Sequence, residues 1–212
     1  MSAGCCGDSA DFTGISADYR RRLWLVIAIN AGMFAVEMAA GRQAMSQALQ
    51  ADALDFLGDA LTYGLSLAVI GLSLRVRASA ALAKGLSLLV MGGFVLTTTL
   101  QAVLADIVPT ASTMGAVGFL ALAANLTSVV LLMRYRDGDS NVRSVWLCSR
   151  NDAIGNVAVM VAALGVWGSA THWPDLAVAG IMACLFTWSA LQIIRQSVTE
   201  LRTAAHAEPP CI

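Results

Sequence analysis

The sequence predicts an all-α polytopic membrane protein: six transmembrane helices with both termini cytoplasmic. Three observations predict it. Of 212 residues, 58% are hydrophobic and only 13% are charged, with a mean hydropathy of +0.70. A soluble domain carries about 25% charged and about 45–50% apolar residues, so the surplus has to face lipid. Apolar runs long enough to span a bilayer recur six times, near 23–41, 47–74, 81–106, 112–133, 142–168 and 174–197. Lys and Arg, finally, collect in alternate connections.

Each element follows in order. Residues 1–20 are polar and lack the apolar stretch of a cleavable leader, so they read as a cytoplasmic tail. Residues 21–200 form the six-helix domain and residues 201–212 a second short cytoplasmic tail. The expected breaks are "AGRQAMSQ", "RVRASAALAK", "DIVPTAS", "RYRDGDSNVR" and "GSATHWPD", with Pro109 and Pro174 where helices should end or restart. Continuous rather than alternating apolar runs exclude a β-barrel. Arg20–Arg22, then Arg75, Arg77 and Lys84, then Arg134, Arg136 and Arg143, then Arg195 and Arg202 fall on one side; the other holds only Arg42. This asymmetry predicts N-in, C-in insertion in the cytoplasmic membrane. A net charge of -1 excludes nucleic acid as a partner. The five cysteines form neither a disulfide framework nor a redox pair. Trp24, Trp146, Trp167 and Trp173 near run ends read as interfacial anchors.

The second run is out of character. "QADALDFLGDALTYG" places Asp52, Asp55 and Asp59 within eight positions of an otherwise apolar stretch. Each aspartate costs about 2.5–3.5 kcal/mol at mid-membrane on an insertion scale, so intramembrane acids point to function. Asp55 and Asp59 are i and i+4 on one helix face. Asp52 lies one turn nearer the outer end, where an interfacial position would suit it equally. In the fifth run, "CSRNDAIGN", Cys148 and Asp152 repeat the i, i+4 spacing, with Asn156 one turn further. Two helices each offering such a pair would supply three carboxylates and a thiol, a set suited to a tetrahedral divalent transition metal. The thiolate would favour Zn²⁺, Cd²⁺ or another soft-to-borderline ion.

"ADALDFLGDAL" together with "VRSVWLCSRNDAIGNVAV" resembles the cation diffusion facilitator family of metal transporters. The pattern of Asn30, Glu37 and Gly41 in "NAGMFAVEMAAG" is similar to the family's first span. The resemblance runs over about residues 20–200. It implies six spans, export of divalent metal against protons, and a metal site at Asp55, Asp59, Cys148 and Asp152, with Cys148 where the family has His or Asp. A short member without the cytoplasmic ferredoxin-like domain is expected, so any homodimer would form through the transmembrane helices.

The residues argue the same cycle independently. Crowded carboxylates repel in an apolar site and hold protons; an entering cation displaces them, and protons return when the site opens to the other side. Gly58, Gly64 and Gly155 would leave room for packing changes, though plain close packing is the simpler role for any one of them. Asp52, Asn156, Asn30 and Glu37 are candidates for supporting groups or an ion path, and Asn30 and Glu37 could equally hydrogen-bond a neighbouring helix. Cys5, Cys6, His206 and Cys211 could capture soft metals, though incidental tail residues suffice. Cys184 reads as a small buried packing residue. Arg150 needs a partner, Asp52 or Asp106, or reaches to the cytoplasm. No cofactor is expected; the metal is cargo. The expected function is divalent heavy-metal efflux by proton antiport, and the alternative is a membrane-embedded metal-binding or sensing protein without transport. An enzyme using a Cys–Asp pair lacks a convincing His or oxyanion group.

Overall fold

The computed structural model describes residues 16–69, 72–135 and 140–207. Within them lie α1 (Ala17–Ala44), α2 (Gln47–Val69), α3 (Leu74–Ala105), α4 (Ala111–Leu132), a 3-10 turn (Met133–Tyr135), α5 (Ser140–Ser169) and α6 (Trp173–Ala207). Cys5, Cys6 and Cys211 lie outside the described residues, as do the side chains of Trp146, Cys148 and His206.

Five helices are long and apolar enough to cross a membrane: α1, α3, α4 with its 3-10 turn, and residues 149–169 and 173–203 of α5 and α6. The 23 residues of α2 make about 35 Å at about 1.5 Å each, long enough for a hydrocarbon layer of about 30 Å. It fails on composition, because any stretch of about eighteen residues in it includes Asp52, Asp55 and Asp59.

Successive helices run antiparallel, so α1–α2, α3–α4 and α5–α6 turn at one end of the bundle. The α3–α6, α1–α2 and α4–α5 interfaces are the most extensive, and α2 touches every other helix. All four apolar clusters contain an α2 residue: Ala51 and Leu54 with α3 and α6, Tyr63 with α1 and α4, Ala48 and Leu49 with α4 and α5, and Phe56 with Met33 and Ala121. The outside is greasy: Leu104 is 88% and Trp167 80% exposed, whereas Glu37 is 0% exposed. Apolar outside and polar inside is the distribution that lipid as solvent imposes.

The turn end is tied together by hydrogen bonds. Asp175 of α6 accepts from Ser46 Oγ at 2.6 Å and from the Gln47 and Ala48 amides at 2.7 and 3.1 Å. These amides open α2, so a carboxylate from a distant helix occupies the positive end of its dipole. His172 Nδ1 meets Asp106 at 3.1 Å, and the Thr110 amide donates to Ala44 O at 3.0 Å. Met45, Asp106 and Ala170 end α1, α3 and α5 with positive φ.

Several expectations need correction. The stretch 75–84, expected as a connection, belongs to α3. Its Ala, Leu, Arg and Lys residues are good helix formers, so the charges lengthen the helix instead of breaking it. Cys184 is exposed on the outer face of α6, not buried. Gly64 and Gly155 have nothing within 4 Å of an added Cβ, and at Gly58 such a Cβ would make only ordinary contact with Leu88. Close approach occurs instead on α3. A Cβ on Gly92 would stand 2.9 Å from Thr187 Oγ1 and 3.2 Å from Phe186 Cβ.

That contact sets a test. Gly92→Ala should lower the thermal midpoint in detergent by several degrees, as expected for about 1–3 kcal/mol of overpacking. Gly93→Ala, with nothing within 4 Å, should leave it unchanged or higher. Equal effects at the two positions would refute close α3–α6 packing at Gly92.

Candidate metal centre

The centre is built on α2, α5 and their neighbours. Asp55 and Asp59 are one turn apart on α2, as their spacing requires, and face α5. The Asp152 carboxyl of α5 reaches hydrogen-bonding distance of both. Three of the four expected ligands therefore meet. Among the described residues, no group of three or more His, Cys, Asp or Glu side chains is arrayed to hold an ion. Tyr63 donates its phenol to Asp59 Oδ2. Lys84 of α3 stands near enough to act electrostatically on Asp55 and Asp59. Cys148 is on α5 one turn before Asp152, and its side chain lies outside the described residues.

One turn along α2, Asp52 enters a second polar set. It is 2% exposed and so lies inside the helix bundle. Asn156 of α5 donates to Asp52 Oδ2 at 2.7 Å and accepts from Asn125 of α4 at 2.9 Å. From α1, the Glu37 carboxyl faces Asp52 within hydrogen-bonding reach. No amide or hydroxyl among the described residues donates to either Glu37 oxygen. Four helices thus contribute one buried side chain each to a continuous line, Asn125–Asn156–Asp52–Glu37. Buried polar atoms in an apolar bundle must find partners in each other, which explains why the line closes. Asn30 is buried nearby in sequence but turns its amide to Val26 O at 2.8 Å, one turn back on α1.

Arg150 is exposed and donates to Asn151 at 3.2 Å. Asp106, considered as its partner, is bridged to His172.

Buried carboxyls from α2 and α5 thus lie among helices apolar enough to cross a membrane. Residues 23–202 match the cation efflux transmembrane domain. The chain belongs to the cation efflux family. Among curated proteins none matches the chain. Membership makes it an integral membrane protein of a cation-transporting family, and the family's members are transporters, not enzymes in general. The cation diffusion facilitator resemblance carried by the α2 and α5 motifs is thereby supported over nearly the whole described chain.

Sequence reasoning missed Asn125 and Tyr63. A signal existed for each: Asn125 is the only amide in α4, whose other polar residues are hydroxyls, and Tyr63 follows Asp59 by one turn. The partners could not be read, because Asn125 and Asn156 come together only when α4 packs on α5.

The amide line sets a second test. Interhelical hydrogen bonds in membrane bundles contribute about 0.6 kcal/mol on average and about 1.7 at most. Asn125→Ala should cost about that much, and Asn156→Ala, which breaks two bonds, about twice as much. The double variant should be no less stable than Asn156→Ala alone. Additive losses in reversible unfolding would show that Asn125 acts elsewhere.

Proposed function

We propose that this cation efflux protein exports a divalent transition metal, of the Zn²⁺, Cd²⁺ or Co²⁺ kind, across the cytoplasmic membrane in exchange for protons. The observation that carries the reading is the meeting of Asp152 with Asp55 and Asp59 inside the bundle. In this reading Asp55, Asp59, Cys148 and Asp152 bind the ion. Carboxyl groups in contact hold protons between them, because adjacent anions in apolar surroundings repel. A divalent cation outcompetes those protons and separates the groups into a coordination shell. Protons arriving from the other side restore the contact and expel the ion. The cation is cargo, so the shell has to be strong enough to strip water and loose enough to release it.

Cys148 tunes the preference. Carboxylates alone suit hard ions, and one thiolate moves the site toward borderline and soft ones. The Arg and Lys asymmetry supports six crossings, α2 included, with both termini cytoplasmic. The Asn156–Asp52–Glu37 line extends the polar interior from the site toward the turn end, supporting a role for Asp52 and Glu37 in the path of ions or protons.

The test is flux in liposomes carrying a metal-sensitive dye. Zn²⁺ and Cd²⁺ uptake should rise with an imposed pH gradient. Asp55→Ala, Asp59→Ala and Asp152→Ala should each lower uptake more than the about 10–100-fold typical of groups that only orient a ligand. Uptake that ignores the gradient, or survives Asp59→Ala, would rule out the antiport reading; stoichiometric binding without flux would favour a sensor. Cys148→Asp and Cys148→His should both lower the Cd²⁺ to Mn²⁺ uptake ratio, and an unchanged ratio would remove Cys148 from the site.

A further inference from the structure

Asp59 differs from Asp55 in having a phenol attached to it. The Tyr63 hydroxyl, one helical turn beyond, donates to Asp59 Oδ2. The phenol cannot readily swing away. Its ring is 0% exposed and is enclosed by Tyr19, Leu23 and Val26 of α1, Leu132 of α4 and Tyr135. That cluster is itself fixed. The Tyr19 and Tyr135 rings meet edge to face at 5.2 Å, Tyr135 donates to Asp18, and Arg22 bridges Asp18 at 3.1 Å and reaches the Leu131 carbonyl at 3.4 Å. A wall built from α1, α2, α4 and the 3-10 turn therefore holds the donor that holds Asp59.

We infer that Tyr63 is the positioning residue of the ion site: it fixes one oxygen of Asp59 and leaves the other directed at Asp152 and the ion. The inference rests on the proposed function, in that Asp59 is a ligand there. A neutral donor suits the task. It orders a carboxylate without adding charge, and a ligand held by a second hydrogen bond loses less freedom when the ion arrives. The same contact holds Asp59 against the α1–α4 wall.

Tyr63→Phe tests this with little change in packing, because the ring still fills its place and only the donor is lost. The full-length protein is reconstituted in liposomes for Zn²⁺ uptake kinetics and in nanodiscs for equilibrium Zn²⁺ binding, beside Asp59→Asn and the parent. Tyr63→Phe should raise KM and Kd about 10–100-fold, the usual consequence of losing a group that orients a ligand. Its maximal rate should stay close to the parent's. A merely structural role predicts a lower melting temperature with unchanged KM, and that result overturns the inference. So does a fall in maximal rate at constant KM. Asp59→Asn separates the two levels. If it abolishes Zn²⁺ binding while Tyr63→Phe binds normally, only the role of Tyr63 fails; if it binds normally, the site itself is wrong and Tyr63 falls with it. Should Tyr63→Phe not assemble, Tyr63→Gln and Tyr63→Leu are compared instead. Gln keeps a donor one turn from Asp59 and should bind Zn²⁺ at least about tenfold more tightly than Leu; equal affinities overturn the inference.

Discussion

Burying acids in an apolar bundle is the constraint on which the rest of the structure depends, and α2 bears most of it. A helix carrying three aspartates does not partition into lipid on its own merits. It enters this bundle because every other helix packs against it. Its apolar residues take part in four separate clusters, and its acids face partners on α1 and α5. The remaining helices can then be ordinary membrane helices, greasy outside and sparsely polar inside.

The two ends of α2 are held in different ways. At the turn end, Asp175 binds the first amides of α2 and the Ser46 hydroxyl, so the positive end of the helix dipole meets a buried carboxylate from α6. Toward the other end, Tyr63 sits in an aromatic and aliphatic cluster with α1 and α4. The acids lie between a polar clamp and an apolar one. A clamp of hydrogen bonds is directional and resists sliding. A cluster of rings tolerates small rotations, because its contacts are many and individually weak.

The glycines sort themselves by the same logic. Those flanking the acids on α2 and α5 make no close helix contact, whereas Gly85 and Gly92 let α3 come against α6 at distances a side chain would forbid. In lipid, where apolar burial gives no advantage to helix pairing, such close approach is a principal source of cohesion. The α3–α6 pair therefore stands as a tight unit beside the helices that carry the acids.

Much of this was legible in the sequence. Composition and run length are one-dimensional, so membrane insertion, the helical class and five of the spanning helices followed from them directly. The i, i+4 spacing of Asp55 with Asp59 is a local property of a helix, and so is the motif resemblance that the family match supports. Helix ends were less legible: the charged stretch 75–84 looked like a loop but continues α3, since charge marks where a helix leaves lipid, not where it stops. Only the tertiary structure decided which side chains meet across helices. Asn125 reaches Asp52 through Asn156, Asp175 caps α2 from 127–129 residues away, and Asp52 turns out to be interior. Spacing along one helix fixes a face, but the partner of that face depends on how several helices rotate and pack at once, and no short stretch of sequence encodes that.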